Sequence, residues 1–266
     1  MIQHIGVGQY YPGSSLLHRM DPRAKVTVLF LYMVAIFLVA DYLAYALLFA
    51  VALSVLLLSR VSVAVFFRSL RILFFFILFA AIFNVFFTPG EVIWKWQLLS
   101  VTKEGLIEAA SMAIRLILLI GMSSLLTFTT TPMALTDALE DMFRPISAMG
   151  FPGHELAMMM SIALRFIPTL LEEAEKIRKA QMSRGIILGH GPLREMAKAA
   201  IPFLIPLFTG AFRRADELAY AMEARAYRGG KGRVKMKALK MAAGDYIALL
   251  FMALLLLILI YYRWFL

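Results

Sequence analysis

Apolar residues gather in five long runs, over 26–40, 42–58, 72–87, 105–128 and 246–262, each nearly free of charge. Crossing ~30 Å of hydrocarbon takes roughly 20 helical residues, and flanking side chains extend a shorter run. The pattern therefore predicts about five transmembrane helices. Only Asp41 separates the first two runs. One helix through both would carry a carboxylate at mid-membrane, so the chain is expected to turn at Asp41, although no Gly or Pro marks the turn.

Between the fourth and fifth runs the pattern changes. Residues 132–240 mix apolar and charged positions at helical spacing. A short helix is predicted over 133–143, capped by Thr131 with Pro132 at its start. Two long helices follow, over 155–184 and 195–228. Apolar positions in the first fall at Leu156, Met159, Met160, Ala163, Phe166, Ile167, Leu170, Leu171, Ala174 and Ile177. The second carries Met196, Ala200, Phe203, Leu207, Ala211, Leu218 and Met222. Both stripes recur every three or four residues, as one helix face does. Each helix runs about 45 Å at 1.5 Å per residue. Gly185 with Gly189, and Gly229 with Gly230, mark the ends.

Composition agrees. Hydrophobic residues make up 62% of 266, charged residues 17%, and mean hydropathy is +0.80. The expected fold is an all-α integral membrane protein. It comprises an N-terminal membrane domain over 1–131 with about four spans, a cytoplasmic region over 132–240 with one short and two long amphipathic helices, and a C-terminal transmembrane helix over 241–266.

The net charge of +10 is spread unevenly. Basic residues collect at Arg19, Arg23 and Lys25, at Arg60, Arg68 and Arg71, and at Arg228, Lys231, Arg233, Lys235, Lys237 and Lys240. Opposite ends carry Asp41, a mixed Glu91/Lys95/Lys103/Glu104 loop and Arg263. The positive-inside rule then places the N-terminus in the cytoplasm and the C-terminus outside. Lys/Arg beside spans is explained by topology and anionic lipid, so no nucleic-acid partner is expected.

Polar chemistry inside the spans is sparse. Glu108 and Arg115, seven residues apart, share a helix face, which suits a polar pathway or a packing pair. Asn84 is the only other strongly polar residue in a span core. Without Cys there is no thiolate chemistry. Gly230-Lys231-Gly232 lacks the phosphate-loop spacing, and His4, His18, His154 and His190 stand singly. No catalytic, cofactor-binding or metal site is expected.

Both long helices have an apolar early half with prolines, Pro168 in one and Pro202 and Pro206 in the other. Their late halves are charged and end in Ser183-Arg184-Gly185 and Ala224-Arg225-Ala226. An offset of 41 aligns these arginines and also pairs Ala174 with Ala215, Glu175 with Asp216 and Ala180 with Ala221. An arginine at a helix C-terminus complements the dipole and caps carbonyls. Flanked by small residues, it also projects a planar fork suited to a partner's carboxylates or carbonyls.

These twin motifs join an opening Gly8-Gln9-Tyr10, with Pro12 and Ser15, and then His18-Arg19-Met20-Asp21-Pro22-Arg23-Ala24-Lys25. On them the chain resembles, over nearly its whole length, the transmembrane T component of energy-coupling factor transporters of prokaryotic cell membranes. The resemblance implies a non-catalytic scaffold with crossed coupling helices for vitamin or micronutrient uptake. Its arginine tips, Ser183, Arg184, Gly185, Ala224, Arg225 and Ala226, would dock two cytoplasmic ABC-type ATPases. Apolar faces carrying Met159, Met160, Ala163, Ile167, Phe203 and Leu207 would hold a membrane-embedded substrate-binding S component. Ser183 and Ala226 depart from the commonest Ala-Arg-Gly signature. Because Ala226 lacks glycine's freedom, the second helix is expected to continue to Gly229. The residues alone also suit a self-contained secondary carrier or channel, a membrane-anchored assembly protein, or a permease subunit dedicated to cobalt or nickel.

Overall fold

Apolar sequence that cannot hydrogen-bond to lipid must satisfy its backbone internally, and this chain does so with helices. The computed structural model describes residues 10–39, 41–96, 99–147, 153–185, 193–227, 229 and 239–265. The elements run α1 (Leu16–Arg19), α2 (Pro22–Leu38), α3 (Tyr42–Ser59), α4 (Val63–Phe87), β1 (Val92–Trp96), β2 (Leu99–Thr102), α5 (Lys103–Thr129), α6 (Pro132–Ser147), α7 (Gly153–Ser183), α8 (Leu193–Ala224) and α9 (Ala243–Phe265). The opening Gly8-Gln9, the helix-end glycines Gly189 and Gly230, and basic residues Arg228, Lys231, Arg233, Lys235 and Lys237 lie outside the described residues.

Each predicted apolar run falls on a helix, and the chain does break between α2 and α3. Among the described residues three helices are long and apolar enough to cross a membrane: Tyr42–Ser59, Lys103–Thr129 and Ala243–Trp264. α2, with 17 residues, is shorter, and the apolar stretch of α4 is Phe74–Phe87. The loop after α4 differs from expectation. Val92–Trp96 and Leu99–Thr102 pair antiparallel, with Trp94 opposite Val101 and Trp96 opposite Leu99. Val, Ile and Trp favour a pleated, half-covered surface over a short loop.

The chain divides into two compact units, one over Gly8–Ala138 with Leu239–Leu266, the other including Leu139–Ala238. In the first, α2 packs on α9 and α5 packs on α4, α2 and α3. Tyr32, Ala35 and Ile36 of α2 meet Ala44, Tyr45 and Leu48 of α3, Leu118, Met122 and Leu125 of α5, and Met252, Leu255 and Leu259 of α9 in one core. Gly121 of α5 lets Phe66 approach where a Cβ would stand 2.9 Å from its ring. Several polar groups beside this core are paired, with the buried Nε of Arg115 an exception. Tyr32 donates to the Leu48 carbonyl at 3.0 Å, and Asn84 donates to the Ala80 carbonyl at 2.9 Å. Arg115 donates to the Tyr45 hydroxyl at 2.8 Å and lies 5.9 Å from the Phe37 ring centre, while Glu108 is exposed. Arg115 therefore tethers α5 to its neighbours.

Candidate functional site

In the second unit α7 and α8 end alike. Gly185 takes a left-handed backbone, φ +84°, and its N–H bonds the Met182 carbonyl at 3.0 Å. Ala226 does the same with φ +57°, its N–H bonding Glu223 at 2.8 Å and that of Tyr227 reaching Met222 at 3.0 Å. That pair of bonds is the Schellman closure of a helix. α8 therefore stops at Ala224 and does not continue to Gly229 as expected. Satisfying two terminal carbonyls offsets the ~1–2 kcal/mol of a left-handed alanine.

The consequence is placement. Arg184 and Arg225 occupy the same position, the last residue before the reversal, and Ser183, Arg184, Gly185, Ala224, Arg225 and Ala226 are all exposed. Among the described residues neither guanidinium has a hydrogen bond or ion pair. Nearby charges do pair: Glu175 lies 3.8 Å from Arg178 and 3.5 Å from Lys179, and Arg213 lies 3.9 Å from Glu217.

α7 and α8 pack antiparallel. Gln181 donates to the Pro202 carbonyl at 3.0 Å, and eight residues earlier Glu173 meets Arg214 at 2.6 Å. With Gln181 level with Pro202, Arg225 stands 23 residues further along α8, about 35 Å. The arginine tips thus point from opposite ends of the pair. An open cavity of about 450 Å³ between the helices is lined by Phe166, Arg213, Arg214, Glu217 and Leu218.

The apolar positions divide. Met159, Met160 and Ala163 are exposed, whereas Ile167, Phe203 and Leu207 are half-buried. Phe203 and Leu207 share a helix side with Gly210 and Arg214, the side that meets α7. The freely exposed stripe of α8 is instead Ile201, Leu204, Ile205, Phe208 and Phe212. Sequence periodicity found the packed face, because two stripes one residue apart are both apolar.

A polar cluster lies at the entry to α2 in the first unit. Asp21 caps the helix through Arg23 N–H at 2.9 Å, with Pro22 at the first helical position. Arg23 also pairs with Asp21 at 2.9 Å and donates to the Leu239 carbonyl at 3.1 Å. The Asp21 N–H donates to Asp245 at 3.1 Å, and Asp245 also accepts from Ala242 N–H at 2.8 Å. Lys25 Nζ donates to the Thr129 carbonyl at 2.9 Å and the Thr130 hydroxyl at 3.2 Å. Before it, His18 bridges the Tyr11 carbonyl and Ser15, so its Nε2 carries the proton and Nδ1 accepts from the Ser15 hydroxyl. The cluster ties the starts of α2 and α9 to the end of α5.

Burial pushes the Asp21 carboxyl up, but hydrogen bonds from Arg23 and the charges of Arg23 and Lys25 hold it below its ordinary value. Lys25 lies just ahead of the apolar run, and burial pulls its ammonium down to about 8 against the opposing pull of Asp245 and Asp21. Between there and the ordinary 10.5 the unfolded chain holds a proton that the folded chain releases, so this group makes stability rise with pH. Neutral Lys25 keeps two N–H donors for its two acceptors. Detergent-solubilised protein is expected to gain thermal stability across that window relative to Lys25→Met. Parallel pH profiles for the two proteins would reject the assignment.

The fold and these helix ends define an all-α integral membrane protein; among the described residues no group of His, Asp and Glu is placed to hold a metal. Known proteins narrow the class. Residues 13–236 match the family CbiQ, described as a cobalt transport protein. The energy-coupling factor transporter transmembrane protein EcfT of Acidaminococcus fermentans is 47% identical over 99% of this chain and 98% of its own length. The proteins of the same name from Ruminiclostridium cellulolyticum and Bacillus subtilis are 52% and 42% identical, over 93% and 92% of this chain and 92% and 93% of theirs. The chain belongs to this family of transmembrane components of energy-coupling factor transporters.

Gln181, Gly210 and the Glu173–Arg214 pair were missed by sequence reasoning. One signal was available: prolines four apart leave the Pro202 carbonyl without its helical donor.

Proposed function

We propose that this chain is the coupling scaffold of an importer in which two cytoplasmic ABC-type ATPases receive Arg184 and Arg225. The observation carrying this reading is the matched, exposed arginine, unpaired among the described residues, at opposite ends of one antiparallel helix pair. A guanidinium held at a helix end between small neighbours enters a groove readily and binds bidentately. ATP-driven closure of the motors moves both tips, and rigid helices carry that motion to apolar surface. There the exposed Met159, Met160 and Ala163 serve the S component that binds a vitamin or other micronutrient, while Ile167, Phe203 and Leu207, expected on the same surface, are half-buried and back it. The basic flanks put the N-terminus and the arginine tips in the cytoplasm and the C-terminus outside. The chain itself catalyses nothing; hydrolysis belongs to the ATPases.

Co-purification with both ATPases, and ATP-dependent uptake once an S component is added, test the reading. Solute flux by the purified chain alone would favour a self-contained carrier. Charged replacements at Met159 and Ala163 are expected to release the S component and leave the ATPases bound; simultaneous loss of both would point to misfolding. The cobalt description of the matching family favours a second reading, a subunit dedicated to one metal-uptake system. Capture of several S components with different solutes supports the shared scaffold, and capture of one supports the dedicated form.

A further inference from the structure

A long helix with prolines four apart should be weak there. Pro206 has no N–H, so the Pro202 carbonyl loses its partner one turn along. In a membrane protein an orphaned carbonyl softens the helix or collects another donor. Here the donor comes from the neighbouring helix. Gln181 is 6% exposed, and its Nε2 reaches that carbonyl at 3.0 Å. Two turns further along, Gly210 leaves room for Glu173: a Cβ on Gly210 would stand 2.6 Å from Glu173 Oε1. Arg214, one turn beyond Gly210, lies 2.6 Å from the other oxygen of the same carboxylate. Two separate contacts, eight residues apart on α7, thus hold one crossing.

We propose that Gln181, with the Glu173–Arg214 pair seated over Gly210, is a two-point lock that makes α7 and α8 one rigid body across the proline-weakened turn of α8. These are positioning residues, whose role is to fix the separation of the arginine tips. The proposal deepens the coupling reading and rests on it for its consequence in transport, but the lock itself is a property of this chain alone. Two contacts are needed because a single one leaves rotation about itself free. Gln181 lies three residues before Arg184, so the α7 tip is braced against α8 next to its own end. On α8, Arg214 lies eleven residues before Arg225, three turns along the same helix.

The natural sequence has no Cys, so paired labels go in cleanly. Lys179→Cys and Tyr220→Cys place spin labels on exposed positions of the full-length chain in lipid nanodiscs, and pulsed electron resonance reads their distance distribution. The parent is expected to give one narrow distribution. Gln181→Leu, and Gln181→Glu, which keeps the shape but loses the donor, are expected to broaden it about twofold. Pro206→Ala restores an N–H to the Pro202 carbonyl, so in that background Gln181→Leu is expected to have little effect. Gly210→Ala and Glu173→Gln should broaden the distribution at the second contact. In the assembled transporter, Gln181→Leu should retain both ATPases while uptake per ATP hydrolysed falls about fivefold. An unchanged distribution in Gln181→Leu overturns the lock. Equal broadening with and without Pro206 overturns the role of the orphaned carbonyl. Failure of the parent chain to capture ATPases overturns the docking reading instead, and the distance measurement still decides the lock.

Discussion

Arg184→Ala and Arg225→Ala are each expected to weaken capture of an ATPase about 30-fold, the equivalent of ~2 kcal/mol for an anchoring arginine. The argument is one of position. Each guanidinium stands one residue past the end of its helix, exposed and unpaired among the described residues, so truncation removes no internal contact and should leave folding intact. Arg→Lys is expected to recover only part of the loss, because a point charge cannot reproduce a planar fork. Quantitative pull-down of the purified ATPases by each single variant measures this, with circular dichroism to show that the helices persist. Full assembly and normal uptake in the double variant would remove both residues from the interface.

The second large effect lies far from those tips. Asp245→Ala is expected to destabilise the protein by about 3 kcal/mol, lowering the midpoint of thermal unfolding by about 10 °C. Asp245 is 2% exposed and accepts from the N–H groups of Asp21 and Ala242. Removing it strands both donors and leaves the buried Lys25 ammonium with one carboxylate fewer. Asp245→Asn keeps an acceptor and should lose less. Scanning fluorimetry in detergent would detect the difference, and a midpoint within a degree or two of the parent would show that the cluster holds little.

Much of this architecture was legible because each feature had a local cause. Apolar runs forced helices, and a carboxylate between two runs forced a break near Asp41. The arginine tips were legible for the same reason, as helix endings flanked by small residues. Less legible was whatever depended on a neighbour. The faces of α8 could not be separated from periodicity, since Phe203 and Leu207 belong to a stripe as apolar as Ile205 and Phe208. The hairpin at Val92–Thr102 was hidden in a loop read for its charges, not for its alternation of Val, Ile and Trp. The end of α8 was misplaced because alanine's reluctance to adopt a left-handed backbone was weighed without the two carbonyls that the turn satisfies.

That turn makes the two helix ends unequal. Gly185 adopts its reversed backbone without penalty, whereas Ala226 does so against a steric preference of ~1–2 kcal/mol. The final coil beneath Arg225 therefore frays more readily than the one beneath Arg184. Two helix ends that look like copies differ in stiffness, so the docking proposed for them would be firmer at Arg184 than at Arg225.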